Sequence, residues 1–444
     1  MSGPSPYNIE TYGCKVNFYD TGLLQKRLGR SPFSAKLNDQ KVHVINSCAV
    51  TEEATKEALR RIRKLKTKDP NSLVVVTGCA AQVDTEKFAQ TEYADLVVAN
   101  SHKGQLENLI EQHLKGELDQ KVFKSSIFKK DDLEAGGGRE SDHTRSFLKI
   151  QDGCNSFCTF CVIPFARGKS RSLSIDELVL RVNDLYAEGV REVVLTGVHV
   201  GDYEDTYFGN DNPRGLEDLI EQLLVRTKMP RFRVSSLEPI ELSERLLDLF
   251  NETALCPHFH MSIQSANTKV LRDMKRKYTA EQVEQSLHWI AKKVKNPFVG
   301  MDVIVGFPGE TEQEFEDTVQ RLQNCPWTRI HVFPYSERPG TFANRMSGKW
   351  HRSLIMDRAK KLRQVSSDRY AEQALRQVGS TKKIMMIRSK DPGVQKGVAR
   401  DFWNVSIENE EQLDIGQEYN VRIIGYDHSH PSRADGCLVG KINR

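Results

Sequence analysis

Short apolar runs alternate with helix-like segments through most of the chain. Near the amino terminus, runs at 7–11, 41–46 and 73–77 have the length of strands, and each precedes a segment with helical periodicity. Their separation suits β-α-β units, in which the strands run parallel. We therefore predict an α/β domain with a doubly wound parallel sheet over residues 1–135.

The same alternation resumes after residue 145. Candidate strands lie at 146–151, 192–196, 232–235, 258–263, 299–305 and 329–334. Capping boxes mark the starts of helices between them, at Ser174/Glu177, Thr279/Gln282 and Thr311/Glu314. This pattern predicts an incomplete (β/α)6 barrel over residues 146–377, open on one side, with its active site at the carboxyl ends of the strands.

Two changes of composition separate these units from their neighbours. The segment 131–145 is polar and glycine-rich, which indicates a linker, and we place the linker at 136–145. After residue 377, short β segments at 383–387, 403–407, 418–424 and 436–442 are divided by Gly, Pro, Asn and Asp. They predict a small β barrel over residues 378–444.

The overall charge does not identify the class of binding partner. The 444 residues carry 64 Lys and Arg against 60 Asp and Glu, a formal net charge of +4, which neither requires nor excludes nucleic acid. The sequence has no apolar run of membrane-spanning length and no leader pattern, so we expect a cytoplasmic protein without a membrane partner. In that reducing compartment, an odd count of nine cysteines favours metal or catalytic thiols over disulfides.

Three closely spaced cysteines carry the strongest chemical signal. Cys154, Cys158 and Cys161 lie in one short segment, and three thiolates can hold a 4Fe–4S cluster whose fourth iron has no protein ligand. A zinc loop or plain buried cysteines are the alternatives, but zinc prefers four ligands, and the sequence has no fourth Cys or His at suitable spacing. The segment therefore predicts a cluster whose open iron can bind a substrate.

A second triplet is dispersed along the sequence. Cys14, Cys48 and Cys79 each follow one of the amino-terminal strands. Because parallel strands present their carboxyl ends at one edge of the sheet, we expect these cysteines to form one site. The other cysteines lack spacing partners and are predicted to be small buried residues: Cys256, Cys325 and Cys437.

The close triplet, with Phe160 just before its last cysteine, resembles the radical S-adenosylmethionine (SAM) superfamily. The resemblance implies that the open iron chelates SAM and that SAM is cleaved to a 5′-deoxyadenosyl radical. Segments 195–201 and 302–310 support it, because each places glycines after a barrel strand, although either alone could be an ordinary turn. The expected cofactor contacts are Phe160, Thr196, Gly197, Ser235, Glu238, Gln264, Val303 and Gly306.

Some of these residues have ordinary alternatives. Ser235, Glu238 and Gln264 stand at predicted strand ends, where they could bond SAM or be satisfied polar residues of a barrel rim. His199 and His260 could carry protons, although a lone histidine near a strand end is more often structural. We assign no catalytic residue from the sequence.

Over its whole length the chain resembles the methylthiotransferases. These proteins combine a cysteine triad on an α/β domain, a radical SAM barrel and a carboxyl-terminal β module called a TRAM domain. The resemblance implies a second 4Fe–4S cluster on Cys14, Cys48 and Cys79, whose open iron presents the sulfur to be inserted. It also implies that SAM serves as methyl donor and as radical source, and that an external one-electron reductant and a sulfur donor are needed.

Finer matches concern the substrate. Segments 12–17, 151–172 and 332–336 are most similar to the branch that methylthiolates carbon 2 of N6-threonylcarbamoyladenosine beside the anticodon of tRNA. The isopentenyladenosine branch more often has Gln-Met-Asn after the first cysteine, where this chain has Lys-Val-Asn, and Ala80 and Ala266 depart from the family pattern near ligand loops. Isopentenyladenosine, a ribosomal-protein aspartate and a non-catalytic iron–sulfur RNA-binding or redox-sensing role remain alternatives.

Residues for RNA contact are less clearly marked. Candidates for base stacking or phosphate contact in the last module are Phe402, Trp403, Tyr426, Lys382, Lys383 and Arg400. The barrel core is the stronger expectation for Trp403. Candidates for the carboxylate of the threonylcarbamoyl group are Arg167 and Lys169, which lie beside the cluster loop.

Overall fold

The computed structural model describes residues 7–30, 40–130, 133, 145–206, 213–389, 391, 393–408, 411–429 and 436–442. The predicted linker at 136–145 lies outside these residues, except for Arg145. A parallel α/β sheet, a partial barrel of parallel strands and a small closed β barrel follow one another along the chain. The predicted fold class is confirmed.

The amino-terminal unit is a parallel sheet whose strands lie in chain order. Helices cover both faces: Leu24 and Leu28 pack on one, and Ala58 and Ile62 pack on the other. The strands predicted at 7–11, 41–46 and 73–77 are present, while two short strands at the far edge had not been predicted. The elements are β1 (Tyr7–Thr11), α1 (Lys15–Arg30), β2 (Val42–Ser47), α2 (Glu52–Lys68), β3 (Leu73–Gly78), α3 (Cys79–Val83), α4 (Thr85–Ala89), β4 (Leu96–Val98), α5 (Leu106–Leu114) and β5 (Val122–Phe123).

The middle unit contains the predicted parallel strands and their helices. Its bounds are β6 (Ser146–Lys149), β7 (Gln151–Asp152), α6 (Ile163–Arg167), β8 (Arg171–Ser172), α7 (Ile175–Ala187), β9 (Val193–Thr196), α8 (Leu216–Arg226), β10 (Phe232–Val234), β11 (Ser236–Leu237), α9 (Glu244–Leu249), β12 (His258–Gln264), α10 (Thr268–Asp273), α11 (Ala280–Lys293), β13 (Phe298–Val305), α12 (Glu312–Gln323), β14 (Arg329–Pro334) and α13 (Arg352–Leu375). All three predicted capping boxes form.

The strands of the middle unit curve around a polar interior. Neighbouring strands pair in the order β6-β9-β10 and β11-β12-β13-β14, and the pairing is interrupted at Ser235. In β12 and β13 every second side chain packs outward against the helices, as Phe259 and Met301 do. The alternate residues, such as His260 and Asp302, are only partly buried, because they face the space enclosed by the strands.

The carboxyl-terminal unit is a closed barrel in the order β15-β16-β17-β19-β18. Its strands are β15 (Thr381–Ile387), β16 (Gln395–Ala399), β17 (Asn404–Glu408), β18 (Glu418–Asp427) and β19 (Cys437–Ile442). It packs on the amino ends of the middle strands: Arg233 donates to the Ala399 carbonyl at 2.8 Å, and the Phe402 ring stacks on His258 with centroids 3.9 Å apart. The small barrel therefore closes the floor of the larger one.

Helix α1 joins the amino-terminal unit to the edge strand β6. Phe18 lies against Phe147 with ring centroids 6.3 Å apart, and Tyr19 belongs to the hydrophobic core of the middle unit. This packing covers the open side of the partial barrel beside β6. Within the described part of the chain, no helix combines the length and apolar character needed to span a membrane.

Candidate active site

The dispersed cysteines converge at the carboxyl ends of β1, β2 and β3. Cys14 and Cys48 follow β1 and β2, and Cys79 opens α3. Gly13 has a φ of +98°, and a Cβ atom there would lie 2.5 Å from the Cys48 sulfur. A larger residue at position 13 would displace that thiol, so glycine allows the approach.

The thiols of this triplet influence one another. The pKa of Cys48 is raised to about 12, first because burial disfavours the thiolate and then because Cys79 lies near.

An arginine of the barrel contacts the amino-terminal triplet. Arg167, the last residue of α6, donates from Nε to Cys79 Sγ at 3.2 Å and from Nη2 to Asn17 Oδ1 at 2.5 Å. Asn100 also directs its amide towards the same sulfur, at 3.6 Å. Donors to a cluster sulfur orient the ligand and tune its electronic properties, so these residues fit a cluster at this position.

Arg167 is part of a buried network of alternating charges. Its guanidinium contacts Asp152 and Asp20 at 3.0 and 3.1 Å, and Lys149 lies 2.7 Å from Asp20 and 3.0 Å from Asp152. Burial alone would raise the pKa of the Asp152 carboxyl, but Arg167 and Lys149 outweigh it and hold that pKa low. The network includes Lys103 and crosses between the two units.

The close triplet lies in the loop between β7 and α6. Arg276 donates from Nη1 to Cys158 Sγ at 3.1 Å, so each triplet has one arginine at a sulfur. Phe157, within the loop, has a φ of +47°, which is uncommon for a bulky residue and marks a constrained turn. Burial, followed by the charges of Cys158 and Cys154, raises the pKa of Cys161 to about 12.

Acidic residues and a histidine surround this loop. His199 Nε2 lies 2.5 Å from Glu241 and 3.4 Å from Glu238, and its Nδ1 lies 3.0 Å from Asp202. Burial would lower the pKa of His199, but contacts with Asp202, Cys154 and Glu241 raise it strongly. The pKa of Glu238 is raised by burial, although Arg276 at 3.0 Å acts in the opposite direction.

Among the residues predicted to contact SAM, Ser235 has an unpaired polar atom. Its Oγ is buried without a hydrogen-bond partner among the described residues. Such an atom costs free energy unless a ligand supplies the missing bond. Phe160 packs against the apolar side chains of Phe307 and Ala343. Gln264 ends β12 with a φ of +63°. These placements leave the prediction of SAM contact open to experiment.

Other predicted SAM contacts have clear packing roles. Thr196 is buried and its carbonyl accepts from Ile150. Gly197 and Gly306 allow close packing, because added Cβ atoms would lie 2.9 Å from Gln151 Oε1 and 2.6 Å from Ile355 Cγ1.

Val303 packs its side chain outward into the hydrophobic core, so a contact with SAM through that side chain does not fit. Its neighbour Ile304 lies instead in the group of residues that includes Phe160.

Several candidates for RNA contact lie in packed interiors. Arg167 is 3% exposed and fully engaged in the network, so it does not face a substrate carboxylate, while Lys169 is exposed. Trp403 lies in the hydrophobic core of the small barrel, as the alternative to RNA contact predicted.

The polar candidates of the last module are also engaged, with one exception. Arg400 bonds Glu418 and the Pro230 carbonyl, and Lys382 pairs with Asp401. Lys383 remains exposed. The cysteines outside the triplets, Cys256, Cys325 and Cys437, are buried as predicted.

Comparison with known proteins identifies the family. The radical SAM superfamily matches residues 148–322, and the uncharacterized protein family UPF0004 matches residues 6–99. The threonylcarbamoyladenosine tRNA methylthiotransferase MtaB of Aquifex aeolicus is 36% identical over 373 residues, covering 82% of this chain and 88% of that protein. The chain belongs to the radical SAM tRNA methylthiotransferases. Membership implies SAM and a 4Fe–4S cluster as cofactors, and the loop of Cys154, Cys158 and Cys161 fits such a cluster.

Further relatives of the methylthiotransferase differ in the base named. The MtaB protein of Bacillus subtilis is 31% identical and covers 95% of this chain and 94% of its own length. A tRNA-2-methylthio-N(6)-dimethylallyladenosine synthase of Desulfotalea psychrophila is 29% identical, covering 86% and 88%. The solved structure of TsrM from Kitasatospora setae, with cobalamin and a [4Fe–4S] cluster bound, has a TM-score of 0.56 and 15% identity over 77% of each chain, which supports the fold alone.

Proposed function

We propose that this methylthiotransferase adds a methylthio group to carbon 2 of N6-threonylcarbamoyladenosine beside the anticodon of tRNA. The observation that carries the proposal is the pair of cysteine triplets. In each triplet an arginine donates a hydrogen bond to one sulfur, and Arg167, which follows the close triplet in sequence, donates to the dispersed one. Relatives whose names contain this base support the substrate. The alternative base is isopentenyladenosine, since dimethylallyladenosine synthases also match.

In this proposal Cys154, Cys158 and Cys161 hold the 4Fe–4S cluster that the family implies, and Cys14, Cys48 and Cys79 hold a second one. When bound, the two clusters and SAM would supply the radical, the sulfur and the methyl group, which acid–base chemistry cannot provide at an unactivated C–H bond. Arg276 and Arg167 donate to cluster ligands and fix their orientation. The sulfur donor and the one-electron reductant are external.

SAM is expected at the carboxyl ends of the barrel strands, beside the close triplet. The Ser235 hydroxyl, which lacks a partner among the described residues, is available to a ligand atom there. Glu238, held by Arg276 and His199, is placed to accept a hydrogen bond at the same rim. His199 lies among three carboxylates, which favour its protonated form and suit it to orienting these acids rather than accepting a proton.

Exposed aromatic residues near the triplets are suited to unpaired RNA bases. Phe157 and Phe165 are exposed and pack edge to face with centroids 6.0 Å apart, and Phe333 is exposed at the end of β14. Stacking on such rings binds single-stranded bases without requiring a particular sequence. The TRAM-like module at 378–444 would contribute Lys383, and the domain limits 1–135 and 146–377 belong to the same proposal. A cytoplasmic location agrees with a tRNA partner.

Purified, reconstituted enzyme incubated with anticodon stem-loops tests the proposal. One stem-loop carries threonylcarbamoyladenosine, a second isopentenyladenosine and a third plain adenosine, and nucleoside mass spectrometry measures the methylthio product. We expect product from the first and at least about tenfold less from the second, because unmatched polar groups in a binding site penalise an apolar analogue. Preferred turnover of the isopentenyl stem-loop would refute the substrate while keeping the chemistry.

A further inference from the structure

Lys15 lies beside the amino-terminal triplet and forms no hydrogen bond or ion pair with a described residue. Lys15 is the first residue of α1 and directly follows Cys14. Its charge interacts with Arg145 just before β6, with Arg233 on β10 and with Asp302 on β13. Arg145 and Arg233 belong to one side of the barrel and Asp302 to another, and α1 packs on the edge strand β6, so Lys15 lies beside the space that the strands enclose.

Asp302, whose charge attracts Lys15, already has another partner, because its Oδ2 lies 2.9 Å from His260 Nε2. The carboxylate next to Arg145, Glu192, binds Arg231 at 2.7 Å and Arg233 at 3.0 Å. Lys15 makes no hydrogen bond or ion pair with any residue that the structure describes. A partly buried ammonium that no carboxylate contacts directly is costly, so this position favours an anionic group from outside.

The chemistry of the base brings an anion to this position. In adenine the C2 and C6 carbons flank N1, so a substituent on N6 lies beside the carbon that receives sulfur. Under the proposed function, C2 faces the triplet that contains Cys14. The substituent then passes within reach of the residue that follows Cys14, and the threonyl part of this substituent ends in a carboxylate.

We propose that Lys15 binds the carboxylate of the threonylcarbamoyl group and thereby selects this base; the inference rests on the proposed function. A neutral isopentenyl group leaves the ammonium unpaired at this position, which penalises that substrate. In this proposal Lys15 contacts the substrate and determines specificity. It takes the role that the sequence had suggested for Arg167, which is buried.

The test compares substrates that differ only in this charge. One stem-loop carries threonylcarbamoyladenosine, and the other carries the analogue whose carboxylate is replaced by a primary amide. For the unmodified enzyme we expect kcat/KM to favour the acid by at least about tenfold, and we expect Lys15→Gln to bring the acid-to-amide ratio close to one, because a charged pair loses one member. Lys15→Arg, which keeps the charge, should retain a preference for the acid.

Lys26→Gln is the matched control, because it removes an exposed positive charge from the same helix. It should keep the full acid-to-amide ratio. If Lys15→Gln keeps that ratio at matched iron content, the assignment of Lys15 is overturned.

The neighbouring cluster ligand requires a second comparison. If Lys15→Gln loses iron, the binding of both stem-loops by fluorescence anisotropy is compared with Cys14→Ala, which disturbs the triplet but keeps Lys15. Preference for the acid in Cys14→Ala but not in Lys15→Gln supports the inference, and equal loss in both overturns it. Failure of the unmodified enzyme to act on the threonylcarbamoyl stem-loop, with activity on the isopentenyl one, would overturn the proposed function instead.

Discussion

Arg167 of the barrel places its Nε 3.2 Å from the sulfur of Cys79 in the amino-terminal sheet. The arginine lies only a few residues after Cys161 in sequence, so a single short helix, α6, links the surroundings of both triplets. A substitution in the barrel at this contact should therefore have an effect that can be measured at the amino-terminal triplet.

Substitution of Arg167 by alanine should destabilise the protein strongly. It leaves Asp152 and Asp20 with fewer cationic partners in a buried position, and breaking such a pair costs about 3–5 kcal/mol. We expect a lower Tm and loss of iron from the amino-terminal triplet. Arg226→Ala, which removes an exposed pair with Asp176, is the control and should change stability by no more than about 1 kcal/mol. Equal effects of both substitutions would contradict the role of the network.

The two triplets should be separable by mutation. Replacing Cys14, Cys48 and Cys79 together by alanine should remove about half of the roughly eight irons per reconstituted chain and leave 5′-deoxyadenosine formation measurable. Replacing Cys154, Cys158 and Cys161 should abolish that formation. Full iron content in the first triple variant would show that the convergence at the sheet edge does not hold a cluster.

The Ser235 hydroxyl offers a test of SAM binding that is independent of turnover. Because its Oγ has no partner among the described residues, Ser235→Ala should leave Tm unchanged or raise it slightly. If the hydroxyl bonds SAM, the Kd for SAM measured by calorimetry should rise by about fivefold to tenfold.

Ser366→Ala is the matched control for Ser235→Ala. The Ser366 hydroxyl donates to the Ile330 carbonyl and accepts from the Ile330 amide, so its loss should lower stability by about 1–3 kcal/mol without changing SAM affinity. An unchanged Kd in Ser235→Ala would remove Ser235 from the SAM site.

Deletion of residues 378–444 should impair the whole enzyme rather than RNA binding alone. Phe402 stacks on His258 at the barrel floor, and Arg231 bonds the Val398 carbonyl at 3.2 Å, so removal exposes buried arginines and an aromatic surface. We expect a lower Tm and losses of both SAM cleavage and tRNA binding. Lys383→Ala tests RNA contact without this damage, and it should weaken tRNA binding modestly at constant Tm. A truncated protein that cleaves SAM normally would contradict this structural role.

Local patterns in the sequence were enough to predict most of the fold. The strands at 7–11 and 329–334 agree residue for residue with β1 and β14, because apolar runs and capping boxes are local signals. The strands β4, β5, β8, β11 and β16 escaped prediction. The first four are very short, and β16 contains Gly397 opposite Met386, where a side chain would clash with Ile384.

The cysteine triplets could be predicted, whereas their surroundings could not. Spacing and strand ends indicate ligands, but the partners of Cys79 come from Arg167 and Asn100, which no local pattern connects with it. The outward orientation of Val303 could have been predicted, since side chains alternate along a strand and Asp302 and Ile304 share the other face. That Lys15 forms no ion pair with a described residue could not be predicted either, because the charges near it come from distant parts of the sequence.

The buried charges of Asp20, Lys149 and Asp152 span the boundary between the sheet and the barrel. Separating the two units would break these buried ion pairs and leave their charges unpaired. The distance between the two triplets is therefore fixed when the protein folds. Under the proposed function, the steps on one base would then take place while the two triplets keep the same separation. SAM, the sulfur donor and the RNA would then each have to reach a site whose two halves are already joined by these ion pairs.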